Sequence, residues 1–388
     1  MLHPYRLSPA DRDHLDRAAT ITRDAIAPNA ADVDASARFP REGLDALAAA
    51  GYNGLCVPAA HGGRGAGMRA FAAVVEEIAT GCGSTAMVYT MHVAAAQAIA
   101  SGAPLADRDT LLREIAAGRH LTTLAFSERG SRSQFWTPTS RLEAVNGHYE
   151  TQADKSWVTS ANAADSLVAS GLKPGATNPM ESTIYLVRRG APGARVTGRF
   201  DGLGLRGNDS APMRFEKLVV RAEDLLSAPG EGATTMLTVV LPWFAIGTSA
   251  MALGLCRAAL AATVAHLSSA GFEHSGTLLR DLPNLRARVA EMALRTEQSR
   301  ALLGHTLDQV EAGSEAAPLY VLQTRLSALE AAAAVTDLAM KACGGAAFSR
   351  QLGVERVFRD ARAGWVMAPT VDHLLEFTGR ALTGLSLF

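Results

Sequence analysis

The chain has 388 residues, 48% of them hydrophobic and 19% charged, with a formal net charge of −1. This composition is typical of a folded globular protein. It offers no bulk charge for nucleic acid, and it contains no run of about 20 apolar residues, free of charges and helix breakers, that could span a membrane. The four cysteines form no C-x-x-C pair, which predicts buried, reduced thiols in a cytoplasmic protein and neither a disulfide nor a metal site.

The first part of the chain, residues 1–118, is predicted to form a helical domain. Ser8 stands before Pro9 and Asp11, which is the pattern of an N-cap followed by a proline and an acidic residue in the first turn. Apolar residues then recur at helical spacing through this part of the chain. These signals indicate several packed helices before the first strand.

The middle part, residues 119–228, is predicted to be a β domain, because short apolar segments there are separated by Pro and Gly. Asn146-Gly147 lies between two of these segments and is the strongest short signal for a hairpin. Gly202 to Gly207 matches G-x-G-x-x-G, but no helix follows it, so we interpret it as a structural turn. Residues 229–388 are predicted to be helical, and Thr324 to Lys341 is apolar almost all round, which predicts a buried or subunit-covered helix.

The C-terminal part of the chain carries a motif. From Val354 to Arg362 it reads V-E-R-V-F-R-D-A-R, and a short run then ends in Ala368-Pro369-Thr370. This segment resembles, without a gap, the signature of the acyl-CoA dehydrogenase superfamily, V-E-(K/R)-x-x-R-D-A-(K/R) followed by a run ending in E-G-T. The family's catalytic base is the Glu of E-G-T, and it falls on Ala368, whose methyl group cannot accept a proton.

The resemblance covers nearly the whole chain and implies the fold. The expected fold class is α+β, mainly α, with an N-terminal helical domain, a middle β barrel and a C-terminal four-helix bundle. In the family the last bundle mediates tetramer formation, so the resemblance implies a homotetramer, or else a homodimer.

Two further stretches resemble the family's flavin-binding motifs. Lys155 to Ser160 is similar to K-x-W-I-T-N, in which a Trp supplies a flat face and a Thr hydroxyl a donor to the flavin ring. Trp157 and Thr159 are two residues apart, so a regular strand would place them on one side. The stretch Ser127 to Gln134 aligns with T-E-P-x-A-G-S-D. The resemblance implies that Ser127 contacts the flavin pyrimidine edge and that Ser133 lies near the flavin phosphates or the substrate.

Several positions depart from the family's FAD-binding pattern. Arg129 and Arg132 replace a Pro and a Gly, and they are interpreted either as anion contacts or as solvated loop residues. Gly344 and Gly345 resemble the G-G of Q-x-x-G-G-x-G-F, whose backbone approaches the FAD of a second subunit, but Lys341 stands in place of the Gln. The family's R-x-x-F-G has become F-E-H-S-G. The cofactor implied is FAD with Thr370 as a further contact, and FMN is the alternative.

The proton acceptor is the main open point of the sequence. Some family members carry the base on an early bundle helix, where the Glu falls on Phe244. Trp243, Phe244 and Ala368 are therefore predicted to line an apolar substrate pocket. Four titratable residues remain as candidates near the ring: His92, Glu128, Asp372 and His373. A structural or surface role explains His92, Glu128 and His373 more simply, while Glu128 and Asp372 are the possible substitute carboxylates. The pair Arg359-Asp360 is interpreted as a structural salt bridge.

Three functions stay open on this sequence. The first is α,β-dehydrogenation of an acyl thioester of CoA or a carrier protein by a non-standard base, with electrons passed to an electron-transfer partner. The second is a reduced-flavin-dependent monooxygenase, served by a flavin reductase and acting on an apolar substrate, which needs a dry pocket more than a carboxylate. The third is a catalytically silent partner subunit.

Overall fold

A computed structural model describes residues 3–386, and within them helices, strands and helices follow one another as predicted. Ser8 caps the first helix, since its Oγ accepts the N–H of Asp11 at 3.1 Å, and this confirms the predicted start. The N-terminal helices are α1 (Pro9–Ile21), α2 (Ala30–Ser36), α3 (Arg41–Ala49), α4 (Met68–Gly81), α5 (Gly83–Ser101) and α6 (Arg108–Ala116).

Seven strands follow, and hydrogen bonding divides them into two sheets with the orders β1-β4-β5 and β2-β3-β7-β6. The barrel expected from the resemblance is therefore not confirmed. Asn146 and Gly147 both have positive φ, 46° and 86°, and they join β2 to β3 as the sequence predicts for a tight hairpin. The strands are β1 (Thr122–Ala125), β2 (Leu142–Val145), β3 (His148–Val158), β4 (Ser166–Leu172), β5 (Ser182–Arg188), β6 (Ala194–Val196) and β7 (Ala211–Val220).

The C-terminal part is helical and completes the predicted fold class, α+β and mainly α. Its long helices pack on one another around α10, and their bounds agree with the predicted apolar segment at Thr324 to Lys341. The helices are α7 (Gly232–Thr235), α8 (Leu241–Ser269), α9 (Pro283–Glu311), α10 (Ala317–Cys343), α11 (Gly345–Phe348), α12 (Val354–Ala361), α13 (Ala363–Val366) and α14 (Val371–Leu382).

Among the described residues 3–386, one helical stretch, Gly232–Ser269, is long and apolar enough to cross a membrane by length and composition. However, 72% of its most apolar window is buried inside the protein, which is the position of a core helix. It joins the N-terminal helices to the bundle in one hydrophobic core, while the facing strands of the two sheets enclose a second core. All four cysteines are buried and free, as predicted.

Candidate functional site

Trp157 stands out on the surface because its indole is 69% exposed. It lies near the end of β3, where the ladder with β7 shifts between Lys155 and Val158 and where Trp157 has φ 55°. This bulge interrupts the alternation of a regular strand. Thr159 is therefore buried, 2% exposed, with its Oγ1 at 3.0 Å from Ser210 Oγ. Simple alternation predicts that the two side chains lie on one side of the strand. In the structure Trp157 is exposed and Thr159 is buried, so this prediction is wrong.

A buried ion pair fixes the loop after β1 against β3. Lys155 Nζ lies 2.6 Å from Glu128 Oε1 and donates a second hydrogen bond to Ser170 O at 2.7 Å. The other donors to the Glu128 carboxylate are the backbone N–H and hydroxyl groups of Thr139 and Ser140, at 2.6–2.8 Å. Burial opposes ionisation, but the charge of Lys155 and these hydrogen bonds outweigh it and lower the pKa of Glu128 to about 2.

The loop that this pair anchors carries Ser127 and Ser133. Ser127 O accepts the N–H of Ser156 at 2.8 Å, so the loop runs beside the residue before Trp157. Arg132 and Ser133 have φ 49° and 67°, a left-handed conformation that is uncommon for residues other than glycine and marks a turn. Within residues 3–386, the Ser127 and Ser133 hydroxyls make no hydrogen bond. Both are therefore available to a ligand beside the exposed indole.

Arg129 and Arg132 are exposed on the same loop. Arg129 borders a polar cleft of about 290 Å³ together with Arg214 and Asp154, and those two residues pair with each other at 3.2 Å. The structure thus gives Arg129 an open cleft with a positive edge, while the side chain of Arg132 points into solvent. Both interpretations of these arginines, anion contact and solvated loop residue, stay predictions.

Aromatic contacts join this loop to the C-terminal helix. Phe126 stacks with Phe135, Phe135 meets Trp136 edge-on, and the Trp136 ring lies 5.8 Å from that of Phe377 on α14. The N-cap of α14 is Thr370, whose Oγ1 accepts the N–H of His373 at 3.4 Å. The turn that resembles E-G-T is therefore held at the same end of the molecule as the loop of Ser127 and Ser133.

We expect Thr370→Ala to lower the free energy of unfolding by about 1 kcal/mol, because an N-cap hydroxyl is lost, and also to weaken flavin binding. The matched control is Ser8→Ala, which removes the N-cap of α1 on an exposed part of the chain. It should cost a similar amount of stability and leave flavin affinity unchanged. Denaturant unfolding and flavin titration measure the two effects. Equal flavin affinities in both variants would show that Thr370 only caps its helix.

The two apolar positions that replace the family's glutamates lie against one buried cation. Arg325, on α10, donates to Met367 O at 3.1 Å, and its Cζ lies 4.7 Å from the centre of the Phe244 ring. Phe244 is buried, and Trp243 beside it packs on Phe71 with ring centres 5.4 Å apart. Ala368 packs against the same hydrophobic core. The sequence reasoning missed Arg325, although a cation near the start of the otherwise mostly apolar stretch Thr324 to Lys341 was a usable signal.

The structure separates the titratable candidates. Glu128 is saturated with donors, and His92 is buried between Asn53 O and the N–H of Thr122, where burial lowers its pKa to about 4. Neither is placed to take a proton from a ligand. Asp372 is exposed in the first turn of α14. His373 is partly buried and lies 3.1 Å from Thr370 Oγ1, which leaves it as the candidate on the turn beside Ala368.

The predicted salt bridge between Arg359 and Asp360 is wrong, although both residues have structural roles. Arg359 pairs with Asp34 at 2.6 Å and with Glu355 at 3.1 Å. Asp360 is buried on another side of α12, where it accepts the N–H of Leu205 at 2.6 Å, and burial raises its pKa to about 7. Neighbouring residues on a helix point about 100° apart, so they do not face each other. The contact with Leu205 also fixes the turn of Gly202 to Gly207.

Gly344 and Gly345 lie far from the other predicted flavin contacts. Gly344 follows α10, nineteen residues after Arg325, which is about 28 Å along a helix. It has φ 57° and ψ −136°, a conformation that favours glycine. Apart from the adjoining backbone, no atom of residues 3–386 lies within 4 Å of a Cβ added at either glycine, and the nearby Phe348 is 86% exposed. A cleft of about 500 Å³ opens beside it, lined among others by Leu203 and Phe358.

The chemistry of these groups can be compared with that of a flavin. The exposed indole of Trp157, the free hydroxyls of Ser127 and Ser133 and the capped turn at Thr370 fit the ring end of the cofactor. Thr159 fits as a donor when Ser210 donates to it. The backbone at Gly344 and Gly345 is accessible to a ligand, but it does not lie beside these groups. Within residues 3–386 no group of three or more His, Cys, Asp or Glu side chains could hold a metal ion.

Comparisons with known proteins agree with the resemblance. The family model described as the acyl-CoA dehydrogenase N-terminal domain matches residues 8–119, and the C-terminal domain model matches residues 230–382. The chain is 28% identical over 370 residues to cyclohex-1-ene-1-carbonyl-CoA dehydrogenase of Geobacter metallireducens, covering 95% of this chain and 96% of the relative.

Solved structures give the same fold. Butyryl-CoA dehydrogenase from Megasphaera elsdenii superposes with a TM-score of 0.92 at 22% identity, covering 97% of this chain and 99% of the other. An FAD complex of PigA superposes with a TM-score of 0.89 at 19% identity, covering 97% and 98%. At these identities the likeness establishes the fold.

Proposed function

The chain belongs to the acyl-CoA dehydrogenase family of flavin-dependent oxidoreductases, and from that premise we propose that it binds FAD and α,β-dehydrogenates an acyl thioester with a non-standard proton acceptor. The observation that carries the proposal is the set of contacts around the loop of Ser127 and Ser133. Ser127 O accepts the N–H of Ser156, the residue before Trp157, and Trp136 packs on Phe377 of α14, the helix that Thr370 caps. When bound, FAD supplies a two-electron acceptor for hydride.

The protein's own residues would then orient the cofactor and keep the site dry. Trp157 would cover one face of the ring system, and Ser127 and Thr159 would donate hydrogen bonds to its polar edge. Trp243, Phe244 and Ala368 would form an apolar wall that excludes water from the acyl chain. His373 is the side chain that we propose as proton acceptor, because Glu128 and His92 are buried and already hydrogen-bonded.

A homo-oligomer is part of this proposal. Gly344 and Gly345 follow the end of α10, about 28 Å from Arg325 along the helix, and the exposed ring of Phe348 stands beside them. We propose that these residues meet the cofactor of a second copy of the chain. The dimeric or tetrameric state is measured by light scattering of the holoprotein, and a monomer that binds FAD tightly would contradict the role of the two glycines.

The second candidate function is a monooxygenase that receives reduced flavin from a reductase. The observation that favours it is that both positions where the family places a glutamate, 368 and 244, are apolar. The Phe244 ring lies over the buried guanidinium of Arg325, which also donates to the carbonyl of Met367, the residue before Ala368. An apolar, closed pocket suits oxygenation.

One pair of assays separates the functions. Oxidised holoprotein is mixed without oxygen with saturated acyl-CoA esters of several chain lengths, and the visible flavin absorbance is followed. Reduced flavin and oxygen are then supplied with the same esters, and the products are analysed by mass. Bleaching in the first assay supports the dehydrogenase, and oxygenated product in the second supports the monooxygenase. If neither bleaching nor oxygenated product is observed, the dehydrogenase and the monooxygenase are both contradicted, and the silent partner subunit remains.

A further inference from the structure

Arg325 is a fully buried cation without an acidic partner. It is 0% exposed, and it is among the largest completely buried side chains of the protein. Its Nη1 donates to Thr248 Oγ1, and its Nη2 donates to Met367 O at 3.1 Å and to Pro369 O at 3.5 Å. Within residues 3–386, Nε has no hydrogen-bond partner and no carboxylate forms a salt bridge with the guanidinium. A buried charge in this state is costly unless something compensates it.

Arg325 lies beside the wall of the proposed substrate pocket. The two carbonyl groups that it contacts belong to the residues on either side of Ala368, and the Phe244 ring lies over its face at 4.7 Å. Position 368 and position 244 are the two places where the resemblance puts a glutamate. The guanidinium thus contacts the backbone on both sides of Ala368 and the ring of Phe244. The wall of the proposed acyl pocket is apolar at its surface and positively charged directly behind it.

The charge of Arg325 persists at neutral pH. Burial lowers its pKa to about 9, and no acidic side chain contributes to this shift. The groups that face the guanidinium are neutral: a hydroxyl from α8, an aromatic ring from α8 and backbone carbonyls from the turn before α14. A guanidinium has five N–H donors, of which three have acceptors here. Nε–H and one N–H of Nη1 are left, and each of them is a single charged donor that a carboxylate oxygen accepts.

We propose that Arg325 recognises a carboxylate on the acyl chain, so that the substrate is the monothioester of a dicarboxylic acid. This inference rests on the proposed acyl-thioester function and adds to it the chemical class of the acyl group. The Phe244 ring covers the face of the guanidinium, whereas the N–H groups that a carboxylate accepts lie in its plane. The substrate then supplies the negative charge that the chain lacks at positions 368 and 244.

The test uses oxidised holoprotein and measures equilibrium binding, not turnover. Three pairs of CoA esters of equal chain length are compared: malonyl with propionyl, succinyl with butyryl, and glutaryl with pentanoyl. A hydrogen-bonded charge pair is worth about 1.5–3 kcal/mol, so in at least one pair the carboxylated ester should bind about tenfold to a hundredfold tighter. No preference in any pair would overturn the inference.

Variants assign the preference to the guanidinium. Arg325→Met, of similar length but neutral, should abolish the preference, and Arg325→Lys should retain part of it. Ala368→Glu is a second variant with Arg325 intact, because a carboxylate beside the guanidinium should pair with it and also abolish the preference. A preference that survives in both neutralised variants contradicts the role of Arg325, even if one of them folds poorly.

The outcome also separates this inference from the function on which it rests. Binding of both members of each pair with equal affinity, together with bleaching by a saturated ester, would refute the recognition of a carboxylate and keep the dehydrogenase. Failure of every ester to bind would refute the acyl-CoA substrate itself, and the inference would fall with it.

Discussion

Trp157→Ala is expected to weaken flavin binding about a hundredfold while the free energy of unfolding of the cofactor-free protein stays nearly unchanged. The indole is 69% exposed, so the folded chain alone gains little from it. A stacked ring contributes about 0.5–1.5 kcal/mol beyond the burial of its area, and covering the indole adds about 1.5–3 kcal/mol. Flavin titration by fluorescence quenching gives the dissociation constants, and chemical unfolding gives the stability.

Two further variants make this expectation specific. Trp157→Phe keeps an aromatic face and should retain most of the affinity. Leu294→Ala removes another exposed apolar side chain, 59% exposed on α9, and should change neither quantity. If Trp157→Ala bound flavin as tightly as Leu294→Ala, the indole would be a surface residue with no part in the site.

Local features of the chain were predictable from the sequence because their causes are local. Ser8 caps α1 through a residue three positions later, and Asn146-Gly147 adopts positive φ within its own turn. The order of helices and strands follows from apolar spacing in the same way. The division of the strands into two sheets was not predictable, since it depends on which strand edges hydrogen-bond across the β domain.

The sequence names candidate site residues, but it does not give their geometry. The outward direction of Trp157 depends on a shift in the register between β3 and β7, which no pattern within Lys155 to Ser160 reveals. Arg359 was paired with its neighbour Asp360, whereas its partner Asp34 lies 325 positions away in the chain. Contacts of this range depend on how distant elements pack, and they decide which charges are compensated.

Glu128 illustrates the same limit. In the sequence it is an acid beside a predicted flavin contact, and therefore a candidate base. In the structure its oxygens accept from Lys155, Thr139 and Ser140, so the carboxylate serves the loop and not a substrate. Arg325 is the converse case, a cation within an apolar helix whose environment lacks the acid that would explain it.

Lys155→Met is expected to lower the free energy of unfolding by about 3–5 kcal/mol, because it leaves the buried carboxylate of Glu128 without its counter-charge. The lysine is the cationic partner of Glu128 at 2.6 Å, and both side chains are almost completely buried. The loop of Ser127 and Ser133 would lose its anchor to β3, so flavin affinity should fall as well. Denaturant midpoints measure the stability, and flavin titration measures the second effect.

The matched control is Lys173→Met, which breaks an ion pair with Glu181 of similar length, 3.1 Å, on the surface of the same β domain. Exposed pairs contribute about 0–1 kcal/mol, so this variant should unfold close to wild type.

The pH dependence adds a second test, because Glu128 has a folded pKa of about 2 against an ordinary value of 4.5. Its contribution is complete above about pH 4.5 and is lost as the pH falls toward 2. Glu128→Gln should therefore be less stable than wild type at neutral pH and should lose less stability across that window. If Lys155→Met and Lys173→Met lowered the free energy of unfolding equally, the buried Lys155–Glu128 pair would contribute no more to stability than an exposed pair.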